Sequence, residues 1–348
     1  MRVFLTGGTG FIGQHLTAAL RRRGWEVTAL VRWPDSASAH ALTALGATLA
    51  QGDVTDRASL RTPMTGADLV LHGAAHYELG VTSWAARQME AINVRGTDHV
   101  LGLAGELGIR RTLHVSSVQA FGDTGFTTIR DETFLRESPT RTHYDRTKTA
   151  AHHIALGYQA RGLPLTIVCP NAVVGPNDHS VWGHFLRLYL AGFMPPMAWC
   201  PESRYSLVEV HDLAEGITLA AEKGRAGETY VLCGEGRSLR EHFAIWEQRP
   251  GGMRVRVWLP WWFMWLALWP LEPLERMLGL SAFLSRETVQ TARTSMYYTA
   301  AKAQRELGWT HRSAEAMWLG TIDAEVELLR RRSRLDLVSR LKPLEDGG

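Results

Sequence analysis

The feature that most constrains the fold of this 348-residue chain stands at its beginning. A short β-rich run, RVFLT (2–6), passes directly into GGTGFIG (7–13) and then into a helical pattern that continues through Arg23. Strand, glycine turn and helix in that order are the context of a phosphate-binding turn. Gly7, Gly10 and Gly13 follow the spacing G-x-x-G-x-x-G. The first glycine allows the tight turn, the second lets backbone approach a pyrophosphate, and the third lets the helix pack on the strand. The helix start then offers unpaired N–H groups and a partial positive charge to the phosphates.

The second strand, EVTALVR (26–32), ends about twenty residues later, where an NAD site usually carries an acid for the ribose hydroxyls. Here the residue is Arg32. A guanidinium at that point suits the 2′-phosphate of NADP(H), with Ser36 as a helper. Asp35 is the residue that could still take a free ribose. Further apolar runs follow at 47–56, 67–75, 110–122 and 163–176, separated by helical stretches. The run at 47–56, the third strand, leads to Asp53, placed to meet the adenine, and the run at 67–75, the fourth, to a loop of small residues.

That alternation predicts an α/β fold: a Rossmann-type doubly wound parallel sheet with ligand at its carboxyl edge, and a smaller, mostly helical C-terminal substrate domain. The boundaries expected are 1–175 for the dinucleotide-binding domain, with 206–235 returning to it. Residues 176–205 and 236–335 form the substrate-binding domain, and 336–348 a tail.

YDRTK (144–148) places Tyr144 and Lys148 four residues apart in a helical segment, which stacks both side chains on one face. An ammonium close to a phenol lowers the phenol's pKa, which suits tyrosine for general acid–base work. Ser117, at the end of the fifth strand, can hydrogen-bond the same substrate oxygen.

With these residues in place the chain resembles the extended short-chain dehydrogenase/reductases along nearly its whole length. The matching pieces are TGGTGFIG, GDVTD, HGAA, NVRGT (93–97), VSSVQAFG (115–122), YDRTK, CPNAVVGP and VEVHDLAEG (208–216). The resemblance implies Tyr144 as proton donor to a carbonyl, or acceptor from an alcohol, with Lys148 holding the nicotinamide ribose and tuning Tyr144. It implies Ser117 rather than Ser116 as the orienting serine, because Ser117 stands five residues before Gly122. The implied cofactor set is Gly7, Gly10, Phe11, Ile12, Gly13, Arg32, Asp53, Val54, Ala74, Asn93, Lys148, Pro170 and Asn171. Family members are often dimers, and the helices within 83–108 and 144–161 are the candidate faces.

Fold alone does not choose among reductases, epimerases and dehydratases. Dehydratases of this type carry Asp-Glu after the catalytic serine or threonine, whereas Val118 and Gln119 follow Ser117 here. A sugar-nucleotide epimerase needs cations for a diphosphate, for which Arg187 and Arg204 are available. HGAAHYELG (72–80), Arg32 and YYTAAKAQRELGW (297–309) instead resemble the branch of dihydroflavonol-reductase-like and 3β-hydroxysteroid-dehydrogenase-like enzymes. The expectation is an NADP(H)-dependent oxidoreductase that interconverts ketone or aldehyde and alcohol on a small apolar substrate. The epimerase is the alternative, and a non-catalytic NADP(H)-binding protein the lesser one.

The stretch WLPWWFMWLALWPL (258–271) contains five tryptophans and no charge. It is too short, and broken by Pro260 and Pro270, for a membrane span of about twenty residues. Three readings remain: a helix buried in the C-terminal domain, an apolar wall over the substrate, or a peripheral membrane contact supported by Arg249, Arg254, Arg256 and the basic stretch 330–342. The net charge of only +3 gives no reason to expect nucleic acid as a partner. Cys169, Cys200 and Cys233 are scattered and lack ligand spacing, so free thiols, no metal and a cytoplasmic setting without a signal peptide are expected. His76, His152, His153 and His211 are expected to be packing or solvent residues.

Overall fold

In a computed structural model, which describes residues 1–249, 254–270 and 285–330, the chain is built on a seven-stranded sheet. Its strands are β1 (Arg2–Thr6), β2 (Glu26–Val31), β3 (Thr48–Gln51), β4 (Leu69–His72), β5 (Thr112–Val115), β6 (Leu165–Pro170) and β11 (Thr229–Leu232). The order across the sheet is β11-β6-β5-β4-β1-β2-β3, and every pairing is parallel. All residues of β4 and β6 are buried, as expected of strands covered on both faces.

The crossover helices are α1 (Phe11–Arg22), α2 (Ala37–Ala44), α3 (Arg57–Met64), α4 (Ser83–Met89), α5 (Gly96–Glu106), α6 (His143–Ala160) and α8 (Val210–Lys223). A π-helical turn, Glu90–Arg95, joins α4 to α5. The order of β1 and β4 leaves a crevice at the carboxyl edge between the two directions of winding, the place where such sheets bind ligands.

Short elements complete the structure beside that edge. Three two-stranded pairings join β7 (Val173–Val174) with β10 (Val208–Glu209), β9 (Arg204–Ser206) with β12 (Gly236–Ser238), and β8 (Met197–Trp199) with β13 (Val257–Leu259). The helices there are α7 (Val181–Leu190), α9 (Leu239–Trp246), α10 (Trp261–Leu268), Arg286–Ala292, Ala301–Leu307 and Ala314–Arg330. A single large core runs from the sheet into these elements through Leu186, Tyr205, Trp246 and Trp318. A small satellite core gathers Trp199, Leu268 and Val289.

Helix α10 departs from the rule that an all-round apolar helix is buried. Leu268 is its one buried residue, and Trp261, Trp262, Phe263 and Leu266 are exposed. Only one side of this two-turn helix meets the rest of the protein, on the satellite core and the helix Arg286–Ala292. The buried-helix expectation for 258–271 is therefore not met at residues 258–270; Leu271 lies outside the described residues, as do the tail 336–348 and all but Arg330 of the basic stretch. Arg249 is engaged by Asp323 at 2.9 Å. Among the described residues no helix is long and apolar enough to cross a membrane.

Candidate active site

A cavity of about 740 Å³ lies along the carboxyl edge of the sheet and reaches into the C-terminal elements. Its floor is the glycine turn. Gly7 has φ +81°, and a Cβ there would fall 2.6 Å from the Gly73 and Ala74 backbone. A Cβ on Gly13 would stand 2.0 Å from the Gly7 carbonyl oxygen, so α1 can reach the turn only without a side chain. At Gly10, by contrast, a Cβ would meet nothing closer than 3.5 Å. Gly10 is the N-cap of α1 and provides no side-chain cap, leaving the first N–H groups of Phe11, Ile12 and Gly13 beside the cavity. A phosphate is the natural partner for such a helix start.

Arg32, Asp53, Val54, Ala74, Pro170 and Asn171 also line the cavity. The Asp53 carboxylate takes the N–H and hydroxyl of Thr55, which fixes its orientation. Ser36 uses its hydroxyl locally: it caps α2 at Ala39 and donates to the Trp33 carbonyl oxygen. Neither Ser36 nor Asp35 is part of the cavity wall, whereas Arg32 is. The floor and the bare helix start fit a nicotinamide dinucleotide, with Arg32 on the same wall at the end of β2.

Asn93 is placed differently. It is buried behind the wall, where its Oδ1 accepts from the His76 N–H at 2.7 Å and its Nδ2 donates to the His76 carbonyl oxygen and to Thr147. It pins the loop after β4 to α6 and does not touch the cavity, which corrects its expected place in the cofactor set.

Tyr144 and Lys148 both line the cavity from the first turns of α6. Thr142 caps that helix by accepting from the Asp145 N–H, and Asp145 is itself held by Arg136. Ser117 also lines the cavity, where its Oγ accepts from the Gln119 N–H at 3.2 Å. Ser116 turns inward, with its Oγ 2.9 Å from Nδ1 of the buried His152. The Ser116 hydroxyl is thus engaged with the core, while Ser117 lines the cavity beside Tyr144.

The electrostatics differ from the expectation. Burial pushes the Tyr144 phenol up to about 12, with the nearby Ser117 hydroxyl acting in the opposite direction. Burial also draws the Lys148 ammonium down to about 8, and its Nζ donates to the Val115 carbonyl oxygen at 3.2 Å. Desolvation outweighs any pull of Lys148 on Tyr144.

Two wall residues were not singled out from the sequence. Tyr77 packs edge-on against Tyr144, with ring centroids 4.7 Å apart. Asp178 is buried, and burial raises its carboxyl to about 6 while Ser180 hydrogen-bonds both its oxygens. Neither belongs to a recurring spacing, so no pattern marked them. The far half of the cavity is walled by Trp182, Phe185, Met194, Trp199, Phe243 and Met264. Among the described residues, the only Lys or Arg side chains on the cavity wall are Arg32 and Lys148. Arg187 is buried against Glu325, Arg204 lies near Glu241, and neither reaches the wall.

All three cysteines are free, and no cluster of metal-ligating side chains occurs among the described residues. His152 is a core residue, while His76 and His211 pair with Glu78 and Glu209.

Comparison with known proteins places these features in context. Residues 3–233 match the NAD dependent epimerase/dehydratase family. The chain is 33% identical to a putative dihydroflavonol 4-reductase of Synechocystis sp., over 88% of this chain and 89% of that one. It is 29% identical to sterol demethylase protein B of Methylococcus capsulatus, over 92% and 97% of the two chains. The crystal structure of gox2253 superposes with a TM-score of 0.78 at 30% identity, covering 94% of this chain and 98% of that one.

Proposed function

The chain belongs to the NAD dependent epimerase/dehydratase family and is an oxidoreductase of the extended short-chain type; from that premise we propose that it interconverts a ketone or aldehyde and an alcohol on an apolar substrate, using NADP(H). The observation that carries this reading is the cavity wall. Its substrate half is largely aromatic and aliphatic, with Asp178, His179, Ser180, Thr288 and Thr291 as polar members, and among the described residues it contains neither lysine nor arginine. A diphosphate buried there would have no cation to meet it, and an unpaired buried charge is costly. The sugar-nucleotide epimerase, which needs such a cation, is disfavoured by the same fact. The names of the relatives, a dihydroflavonol reductase and a sterol demethylase protein, point toward flat apolar substrates.

NADP(H), when bound, supplies or accepts the hydride at the carbonyl carbon. Arg32 is the residue we assign to its 2′-phosphate, and the bare start of α1 to its pyrophosphate. In reduction Tyr144 transfers its phenolic proton to the carbonyl oxygen as hydride reaches carbon, so full alkoxide charge never develops. Ser117 donates to the same oxygen and holds it at the phenol. The Lys148 ammonium stabilises the tyrosinate left behind until solvent returns a proton. In oxidation the same groups run in reverse.

The test is loss of reduced-nicotinamide absorbance from NADPH with two panels, one of steroid, flavonoid, terpenoid and aryl ketones and one of UDP- and dTDP-sugars. Net oxidation with an apolar ketone supports the proposal. A change of sugar configuration without net oxidation establishes the epimerase instead, and binding of NADPH with no turnover on either panel favours the non-catalytic alternative.

A further inference from the structure

Helix α10 carries two apolar stripes. The inner one, Trp261, Met264, Trp265 and Leu268, meets the protein: Leu268 enters the satellite core, Met264 lines the cavity, and Arg293 lies 3.5 Å from the centre of the Trp261 ring. The outer one follows helical spacing at 262, 266 and 269, with Phe263 beside it. Trp262 is 52% exposed, Phe263 47%, Leu266 56% and Trp269 65%. The surface continues onto the adjoining pair of strands, where Val257 and Met197 are register partners and both exposed.

Exposing so much aromatic surface to water is unfavourable, by about 25 cal/mol for each Å². Large exposed apolar patches mark places that are covered in use. The charges at its edge indicate the cover. Residues 254–270 contain two arginines, Arg254 and Arg256, and no carboxylate. Both arginines are exposed and form no ion pair among the described residues. The one carboxylate on the neighbouring helix Arg286–Ala292, Glu287, is taken by the Gly80 N–H. Tryptophan and phenylalanine on one stripe, bordered by unpaired guanidinium groups, match the boundary between acyl chains and anionic headgroups.

We infer that the outer stripe of α10, with Val257 and Met197 beside it, is a docking surface for an anionic lipid bilayer. Trp262, Phe263, Leu266 and Trp269 enter the interface, and Arg254 and Arg256 meet the headgroups. Docking places α10 between the bilayer and the cavity that Met264 lines. The inference is independent of the reaction proposed above, because its test measures binding and not turnover.

The experiment is co-sedimentation of the full chain at low salt with vesicles of phosphatidylcholine alone or mixed with phosphatidylglycerol. The wild type is expected to pellet with the anionic vesicles and to be released as salt is raised. A Trp262→Ser, Phe263→Ser, Trp269→Ser variant should partition on the order of tenfold less for each aromatic removed. An Arg254→Glu, Arg256→Glu variant should also lose binding. Circular dichroism and thermal midpoint verify folding. Should the triple variant fail to fold, quenching of wild-type tryptophan emission by brominated acyl chains, diminished in the single Trp262→Phe variant, reports the same insertion. Absence of binding to anionic vesicles at low salt overturns the inference, as does binding that survives the triple substitution. So does a dimer in sedimentation velocity that the triple variant dissolves without any vesicle binding, since a second copy then covers the stripe.

Discussion

The rings of Tyr77 and Tyr144 meet edge to face, with centroids 4.7 Å apart and planes at 86°. Tyr77 thus stands against the phenol proposed to transfer the proton. Tyr144→Phe keeps this contact and removes only the hydroxyl. It is expected to bind NADPH normally by fluorescence titration and to lose turnover by roughly 10²–10⁴-fold. Tyr77→Phe should stay near wild type, whereas Tyr77→Ala should raise KM more than it lowers kcat. Unchanged turnover in Tyr144→Phe would remove the assignment.

Burial draws Lys148 down to about 8, so its charge is present below that pH and is lost as pH rises through it. Tyr144, raised to about 12, keeps its proton over the same range. For reduction, kcat/KM is therefore expected to hold near neutrality and to fall above about pH 8, the alkaline limb belonging to Lys148. Lys148→Arg, whose charge persists, should shift that limb upward in whatever activity it retains. A wild-type profile with no break between about pH 7 and 9 contradicts this.

Arg32 is the cation on the cofactor half of the cavity wall nearest the end of β2, and Asp35 is not on the wall. Arg32→Ala should lower kcat/KM for NADPH by about tenfold or more, the worth of a charge-assisted hydrogen bond, and leave NADH nearly unchanged. Steady-state kinetics with both cofactors measure the ratio. An equal loss for each would show that Arg32 does not distinguish them.

The glycines of the turn are not equivalent. Gly13→Ala puts a methyl 2.0 Å from the Gly7 carbonyl oxygen, so α1 must move, at a cost of about 1–3 kcal/mol. The thermal midpoint and NADPH affinity should both drop. Gly10→Ala, with 3.5 Å of room, should leave the midpoint near wild type and weaken only NADPH binding. Thermal unfolding alongside cofactor titration separates the two; a Gly10→Ala variant that binds NADPH normally would show that the pyrophosphate lies elsewhere.

His72, His152 and His242 are buried, and their pKa values are pulled to about 3, 4 and 4 by desolvation. In the unfolded chain they titrate near 6.5. Groups depressed in the folded state contribute stability that is full above the unfolded value and lost as pH falls toward the folded one. Stability should therefore decline progressively from about pH 6.5 toward 4, followed by denaturant midpoints at a series of pH values. A midpoint constant over that window would show that these imidazoles take up protons as readily in the fold as in the unfolded chain.

Much of the protein was decided locally. Six of the seven sheet strands coincide with apolar runs in the sequence, and inner strands such as β4 and β6, buried on both faces, are expected to be mostly apolar. The glycine turn and the Tyr144–Lys148 pair were legible for a related reason: close backbone approach and the four-residue helical repeat are properties of adjacent residues. What only the tertiary structure decided depends on residues far apart in the chain. His152, 36 positions away, engages the Ser116 hydroxyl, while Ser117 lines the cavity with Tyr144. Asn93 became a clamp between His76 and Thr147, and Glu325 engaged an arginine that composition alone would have offered to a diphosphate. The tryptophan-rich run was apolar in sequence, but which of its side chains face water depended on how much neighbouring surface α10 could cover, and that surface covers one stripe of two.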